Sequence, residues 1–120
     1  MSKIYLINNQ KLKPHEQIRK SYLAKLVWQI KRDGLIKKPI IVDRKTLVIL
    51  DGHHRYNSSK LLGWVSTPAY LVNYNNKNIR VGSWRKNLIV TKAQVLQAGL
   101  TGSLLKPKTS RHFVPLNKLA

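Results

Sequence analysis

The sequence predicts an α+β fold, in which a small mixed sheet packs against helices in one compact domain. Apolar runs at 39–42, 46–50 and 67–72 are typical of strands, and the first two are apolar almost throughout, as in strands covered on both faces. An apolar residue recurs every three or four positions from Leu23 to Ile30, which predicts a helix over 22–33. The 120 residues contain no repeat and no low-complexity linker, so we expect a single domain over 1–120.

The charge of the chain is its most unusual property. There are 23 lysines and arginines against 4 acidic residues, which gives a net charge of +19. Such a field attracts polyanions, including nucleic acids, nucleotides and anionic lipid surfaces. An AT-rich coding sequence would also favour lysine, although it does not account for so few acids. The charge is spread along the chain, so it predicts anion binding without selecting the anion.

Several classes of protein do not fit the composition. Without cysteine there is no disulfide framework and no thiolate chemistry. The N-terminal apolar run is too short for a signal peptide, and no stretch approaches the roughly 18 apolar residues that a membrane span needs. We therefore expect a soluble, cytoplasmic protein without a membrane partner.

The N-terminal half is expected to begin with a short strand over 3–7. Ser21 should cap the first helix, Gly34 should end it, and Trp28, beside the apolar stripe, should lie in the core. A short turn at 43–45 should join the next two strands into a hairpin, and a helix should follow over 53–62.

The C-terminal half carries weaker signals. After the strand at 67–72, a polar turn should lead to a short strand at 79–81. Thr91 should cap a helix over 92–98, with Gly99 beyond its end. The stretch 102–112 shows no periodicity, and 113–120 is expected to be a tail.

The motif Asp51-Gly52-His53-His54-Arg55 stands between an apolar run and a helix. Cations are unfavourable at a helix N-terminus, so basic residues there indicate a bound anion. Gly52 would let the backbone approach that anion, and Asp51 could cap the helix or hold a metal. We interpret the motif as a phosphate-binding loop. The alternative is an Asp-Gly turn followed by a solvated helix start.

Two further features carry candidate chemistry. Glu16 stands among lysines and arginines, and an ionised carboxylate beside a bound phosphate can deprotonate an attacking hydroxyl. Ser110-Arg111-His112 offers a hydroxyl, a guanidinium and an imidazole, and Trp84 could wall a pocket. The alternatives are a surface glutamate that balances local charge, a solvated basic tail and a buried tryptophan.

Familiar site motifs are missing from the chain. The histidines do not match the zinc pattern H-E-x-x-H, and neither G-x-x-x-x-G-K-[ST] nor G-x-G-x-x-G occurs. From the residues alone, the sequence predicts an anion-binding domain and leaves the anion open.

The order of the motifs resembles a known family. Pro14-His15-Glu16, then Gly34 to Asp43, then Val48 to Arg55 resemble the ParB/sulfiredoxin-like fold, and more narrowly its nucleotide-dependent free L-serine kinases. Ser83-Trp84-Arg85 and the helix and basic loop from Thr91 to His112 resemble further motifs of these kinases. The resemblance extends over about 12–112.

This resemblance implies a kinase that transfers a phosphoryl group from ATP or ADP to the hydroxyl of free L-serine, with Mg²⁺ as cofactor. Glu16 would be the catalytic base, and Asp51 would act at the catalytic magnesium. Asp51, Gly52, His53, His54 and Arg55 would bind the nucleotide phosphates. The pocket for serine and phosphate would comprise Trp84, Ser110, Arg111 and His112.

A competing hypothesis is a ParB-like module that binds DNA or RNA, either nucleotide-regulated or nuclease-like. The net charge of +19 favours it. The phosphate motif favours the kinase, because it reads His-His-Arg where the partition proteins of this fold have Glu-Arg-Arg. A two-metal nuclease would need more carboxylates than this chain offers.

Overall fold

The structure is a computed structural model that describes residues 3–119, and it confirms the α+β fold. The strands are β1 (Ile4–Asn8), β2 (Ile40–Asp43), β3 (Ile49–Asp51), β4 (Ser66–Val72), β5 (Arg80–Ser83) and β6 (Ser110–Phe113). The helices are α1 (Lys20–Asp33), α2 (His53–Leu61) and α3 (Lys92–Thr101), followed by a 3₁₀ turn (Leu116–Lys118). None of the helices within 3–119 is long and apolar enough to cross a membrane.

The main sheet is mixed, with the strand order β1-β4-β2-β3. Strands β2 and β4 are parallel, and the edge strands β1 and β3 run antiparallel to their neighbours. A parallel pair needs a crossover, which β3 and α2 supply between them. The predicted phosphate loop therefore lies where edge strand β3 ends and α2 begins. A separate two-stranded sheet pairs β5 with β6, with Ser83 opposite Ser110.

Two apolar clusters cover the two faces of the main sheet. Along β3 and the residue before it, side chains alternate: Val48 and Leu50 belong to one cluster, and Ile49 belongs to the other. The expectation that these strands are covered on both faces is thereby confirmed. The residues expected to form a tail also reach the core, since Leu116 and Leu119 pack against the first cluster.

Helix α1 corrects two predictions. Ser21 is not the cap: the N-cap position is Arg19, whose backbone N–H donates to His54 Nε2 at 3.0 Å and so anchors the chain two residues earlier. Trp28 is not in the core, because 63% of it is exposed and the Arg32 guanidinium lies 5.0 Å from its ring. The buried positions of the helix are Leu23 and Ile30, and Trp28 points away from both. The predicted end at Gly34, with φ +76°, is confirmed.

Helix α3 corrects a third prediction. Thr91 does form the expected capping box with Gln94, but the helix continues through Gly99 and ends at Gly102. A Cβ on Gly99 would lie 2.7 Å from Val48 Cγ1, so this glycine permits close packing and does not terminate the helix. Strand β6 was not predicted at all, because its partner β5 lies far away along the chain.

Candidate functional site

A cleft of about 620 Å³ opens between α1, the start of α2 and the β5–β6 sheet. It brings together every residue singled out from the sequence as a site residue. These are Glu16, Asp51, Gly52, His53, His54, Arg55, Trp84, Ser110, Arg111 and His112. Four segments far apart in the chain therefore meet at one place, which the order of the motifs alone could not establish.

The N-terminus of α2 forms one wall of the cleft. Its first intrahelical bond runs from Tyr56 N–H to the Gly52 carbonyl at 3.0 Å. The preceding N–H groups of His53, His54 and Arg55 have no acceptor among residues 3–119. Unpaired N–H groups and the helix dipole make this wall, which we call the phosphate wall, suitable for an anion. Gly52 is the N-cap in a left-handed conformation, with φ +103°.

Asp51 does not cap this helix, contrary to one of the two roles considered for it. Its Oδ2 accepts a hydrogen bond from Arg55 Nη2 at 3.4 Å, and no side chain caps α2. The side chain of Asp51 is 51% exposed, so its second oxygen is free to take a ligand in the cleft.

The two histidines that begin α2 are acceptors and not cations. His53 Nε2 accepts from the backbone N–H of His15 at 3.1 Å, and His54 Nε2 accepts from that of Arg19 at 3.0 Å. Each ring therefore carries its proton on Nδ1 and is neutral. Burial lowers the pKa of His53 well below its usual range and also lowers that of His54. The positive charge expected in this turn is supplied by Arg55 alone.

Three hydrogen bonds anchor Glu16 in the cleft. Its Oε1 accepts from Thr109 N–H at 3.1 Å, from Ser110 N–H at 2.8 Å and from Ser110 Oγ at 3.1 Å. The backbone bonds between Leu105 and residues 15 and 17 fix the segment that carries it. Oε2 has no partner among residues 3–119, which leaves one carboxylate oxygen oriented and available.

Behind Glu16 lies His15, which is fully buried. Its Nδ1 faces the Ile49 carbonyl, which can only accept, so Nδ1 carries a proton. Its Nε2 lies 2.8 Å from Ser110 Oγ. The hydroxyl of Ser110 thus connects the imidazole of His15 with the carboxylate of Glu16.

His112 closes the base of the cleft. Its Nε2 lies 2.8 Å from the Tyr74 hydroxyl, and its ring meets that of His15 edge-on at 5.8 Å. Burial, with smaller contributions from His15 and Lys92, lowers the pKa of His112 to about 3. Burial also raises the pKa of Tyr74, which keeps its hydroxyl protonated.

These buried neutral histidines predict an acid-sensitive fold. The pKa of His112 falls from 6.5 to about 3 on folding, so the unfolded chain binds more protons between these limits. The free energy of unfolding should therefore decrease as the pH falls below about 6.5, by up to about 1.4 kcal/mol per pH unit for each such histidine. Urea unfolding measured at several pH values checks this. His112→Gln, which keeps a hydrogen-bonding partner for Tyr74, should reduce the slope, and an unchanged slope would contradict the prediction.

Trp84 organises the cationic rim of the cleft. Arg111 lies 4.5 Å and Lys108 5.3 Å from the centre of its ring. Trp84 is 54% exposed, so the alternative of a buried core tryptophan is wrong. Lys108 adopts a left-handed backbone with φ +56°, rare for a residue other than glycine, at the turn that leads to Thr109.

Besides two leucines, three cleft residues escaped the sequence argument: Tyr22, Lys38 and Lys108. The ring of Tyr22 packs edge-on against His54 at 4.9 Å, and the two lysines add positive charge. Nothing distinguishes them in the sequence from the chain's other tyrosines and lysines. No group of three or more potential metal-ligating side chains occurs within residues 3–119.

The chain is similar to known proteins over most of its length. Residues 2–88 match the model of the ParB N-terminal domain. A ParB-like protein of Sulfolobus acidocaldarius is 36% identical over 67% of this chain and 40% of its own length. An ATP-dependent L-serine kinase of Staphylothermus marinus is 32% identical over 77% of this chain and 38% of its own length. The chain thus spans well under half the length of these relatives.

A solved structure extends the similarity beyond residue 88. A free serine kinase in complex with AMP superimposes with a TM-score of 0.86 over 97% of this chain and 89% of that one, at 17% identity. At that identity the match establishes a shared fold, which includes the part of the chain that carries Ser110 and Arg111. With the family model matched over most of the chain, the protein belongs to the ParB N-terminal domain family.

Proposed function

We propose that this protein is a phosphotransferase that moves a phosphoryl group from ATP or ADP to the hydroxyl of free L-serine and so produces O-phosphoserine. The observation that carries the proposal is the pairing of two features in one cleft. An anchored carboxylate with one free oxygen, Glu16, shares the cleft with a helix N-terminus whose N–H groups are free for phosphate. The proposal is supported by the kinase named among the relatives.

The nucleotide phosphates would bind at the start of α2. The N–H groups of His53, His54 and Arg55 donate to phosphate oxygens, and the Arg55 guanidinium supplies the positive charge. His53 and His54 have a positioning role. They accept hydrogen bonds from the backbone of His15 and Arg19 and so fix this turn against the segment that carries Glu16.

Magnesium fits the oxygen chemistry of this wall. Mg²⁺ in nucleotide sites is held by one or two carboxylates together with substrate phosphates. Asp51 offers a half-exposed carboxylate at the edge of the phosphate wall and would be the protein ligand of the magnesium ion. The ion would neutralise charge on the transferred group.

Glu16 would accept the proton of the substrate hydroxyl. As the serine oxygen attacks the terminal phosphorus, the O–H proton passes to Glu16 Oε2, the new P–O bond forms, and the bond to the leaving nucleotide breaks. The rim cations Lys108 and Arg111 lie where they can stabilise the negative charge of the transferred group. Because both cations pack against the Trp84 ring, their side chains need little rearrangement to stabilise that charge.

The Ser110 hydroxyl forms a hydrogen-bonded relay, a route that links Glu16 to His15. Ser110 has one hydroxyl proton and two acceptors, His15 Nε2 and Glu16 Oε1, so it satisfies only one of them at a time. When Glu16 takes the substrate proton on Oε2, Oε1 loses negative charge and still accepts from two backbone N–H groups. The Ser110 hydroxyl is then free to donate to His15 Nε2, so the relay favours the state in which Glu16 has taken a proton.

Removal of the Ser110 hydroxyl tests this route. In Ser110→Ala the backbone N–H still holds Glu16, but the link to His15 is lost. We expect kcat to fall by about tenfold, at the lower end of general acid–base effects, with nucleotide affinity unchanged. Ser83→Ala is the matched control, because Ser83 lies opposite Ser110 in the same sheet and does not line the cleft. Equal rates for both variants would remove the relay from the mechanism.

The activity itself is tested by phosphorus NMR of the purified protein with Mg²⁺, L-serine and either ATP or ADP. Formation of O-phosphoserine with one donor would support the proposal and identify that donor. If the protein binds ATP or ADP but forms no O-phosphoserine with either, the kinase assignment is overturned. The phosphate-binding role of the α2 N-terminus would still stand.

A further inference from the structure

Helix α1 carries a second basic surface, separate from the cleft. Its outward residues are Lys20, Lys25, Trp28, Lys31 and Arg32, which we call the α1 outer face. At 3.6 residues per turn they fall within an arc of about 140°, with Trp28 in the middle and two cations on either side. All five are exposed, and none lines the cleft.

This face carries almost no compensating negative charge. Asp33 lies 3.5 Å from Arg32 and 3.7 Å from Lys37. The other acids of the chain are committed elsewhere, Glu16 and Asp51 in the cleft and Asp43 buried at the end of β2. Within residues 3–119, the lysines of the face form no ion pair. The face therefore retains its charge for an external polyanion.

Trp28 narrows the choice of polyanion. An exposed indole among cations provides a stacking surface for a base, while the cations contact phosphates on both sides. From Lys20 to Arg32 the helix rises about 18 Å, enough to follow a few nucleotides. A helix that lies in a lipid interface presents a broad apolar face, whereas the apolar residues within the arc of the α1 outer face are only Trp28 and Ala24. The observations thus favour a nucleic acid over a membrane.

We propose that the α1 outer face is a binding site for single-stranded nucleic acid, in which a base stacks on Trp28 and the flanking cations contact the phosphates. The site is independent of the proposed kinase activity, because its residues and those of the cleft do not overlap. DNA and RNA share this chemistry, so both are probes.

The test is fluorescence anisotropy of labelled 20-nucleotide DNA and RNA strands with the intact chain, over a range of salt concentrations. Trp28→Ala should weaken binding by about tenfold or more, and Trp28→Phe should restore part of it. Lys25→Gln with Lys31→Gln should lower the slope of log affinity against log salt by about 1.4. Arg44→Gln with Lys77→Gln is the matched control, since both residues are exposed cations in turns outside α1 and the cleft.

Four outcomes would overturn the proposal. Trp28→Ala could bind as tightly as the wild type, although thermal unfolding shows that both are folded. The control pair could reduce the slope as much as the α1 pair, which would indicate attraction by net charge alone. AMP could displace the strand, which would place it in the cleft. Binding to phosphatidylserine vesicles that depends on Trp28, without binding to either strand, would assign the face to a membrane instead.

Discussion

Replacing Glu16 with glutamine should lower kcat by about 10² to 10⁴-fold, the range of general acid–base catalysis. Glutamine retains the acceptor oxygen for the N–H groups of Thr109 and Ser110, so the local structure should persist. Its neutral amide cannot take a proton from the serine hydroxyl. Because the proposed phosphate site lies at the start of α2, the dissociation constant of the nucleotide should change by less than about twofold.

Initial rates from O-phosphoserine formation, together with calorimetric titration of ADP, separate these two effects. Asp33→Asn is the matched control, because it removes a carboxylate at the end of α1 and outside the cleft. Full activity of the Glu16 variant would exclude the base role. Loss of turnover together with loss of ADP binding would show instead that the charge of Glu16 maintains the whole cleft.

Gly52→Ala should destabilise the fold by about 2–5 kcal/mol and abolish nucleotide binding. The Cβ would lie 2.8 Å from Ile40 Cβ and 2.9 Å from Arg55 Nη2, and both the core and the phosphate wall would have to shift. The left-handed backbone at φ +103° adds a cost of about 1–2 kcal/mol for any residue with a side chain.

The control for Gly52 is Gly63→Ala, which separates backbone strain from contact. Gly63 also has a positive φ, +74°, but a Cβ there would have no heavy atom within 4 Å. This variant should lose only the backbone contribution, about 1–2 kcal/mol, and bind ADP normally. Urea unfolding and ADP titration of both variants separate the cost of backbone strain from the cost of the contacts at Gly52. Similar losses at the two positions would mean that the contact with Ile40 contributes nothing.

Signals that act within a few residues were sufficient to predict many of the elements. Gly34 ends α1 through its left-handed backbone, Thr91 and Gln94 form a capping box within one turn, and the apolar strands around Asp43 pair as a hairpin. The ordered motifs also named residues that share one cleft, although their roles are proposals and the structure provides only their positions.

The errors arise where distant contacts decide the outcome. From its neighbours in sequence, Gly99 predicts the end of a helix, whereas in the structure it allows the helix to pack closely against Val48. Trp28 is an exception, because the helical period alone places it about 140–160° around the helix from Leu23 and Ile30 and so turns it to solvent. The charge of His53 depends on burial and on the backbone of His15, which is 38 residues away. No local pattern carries this information.

The anchoring of Glu16 by Ser110 has a consequence for the order of events during synthesis and folding. These two residues are separated by 94 positions. At about 5–20 residues per second, the ribosome needs roughly 5–20 s to add the second after the first. The main sheet needs only residues up to Val72, so it can form while Glu16 still lacks its partner. The carboxylate would then be anchored only after the main sheet has formed.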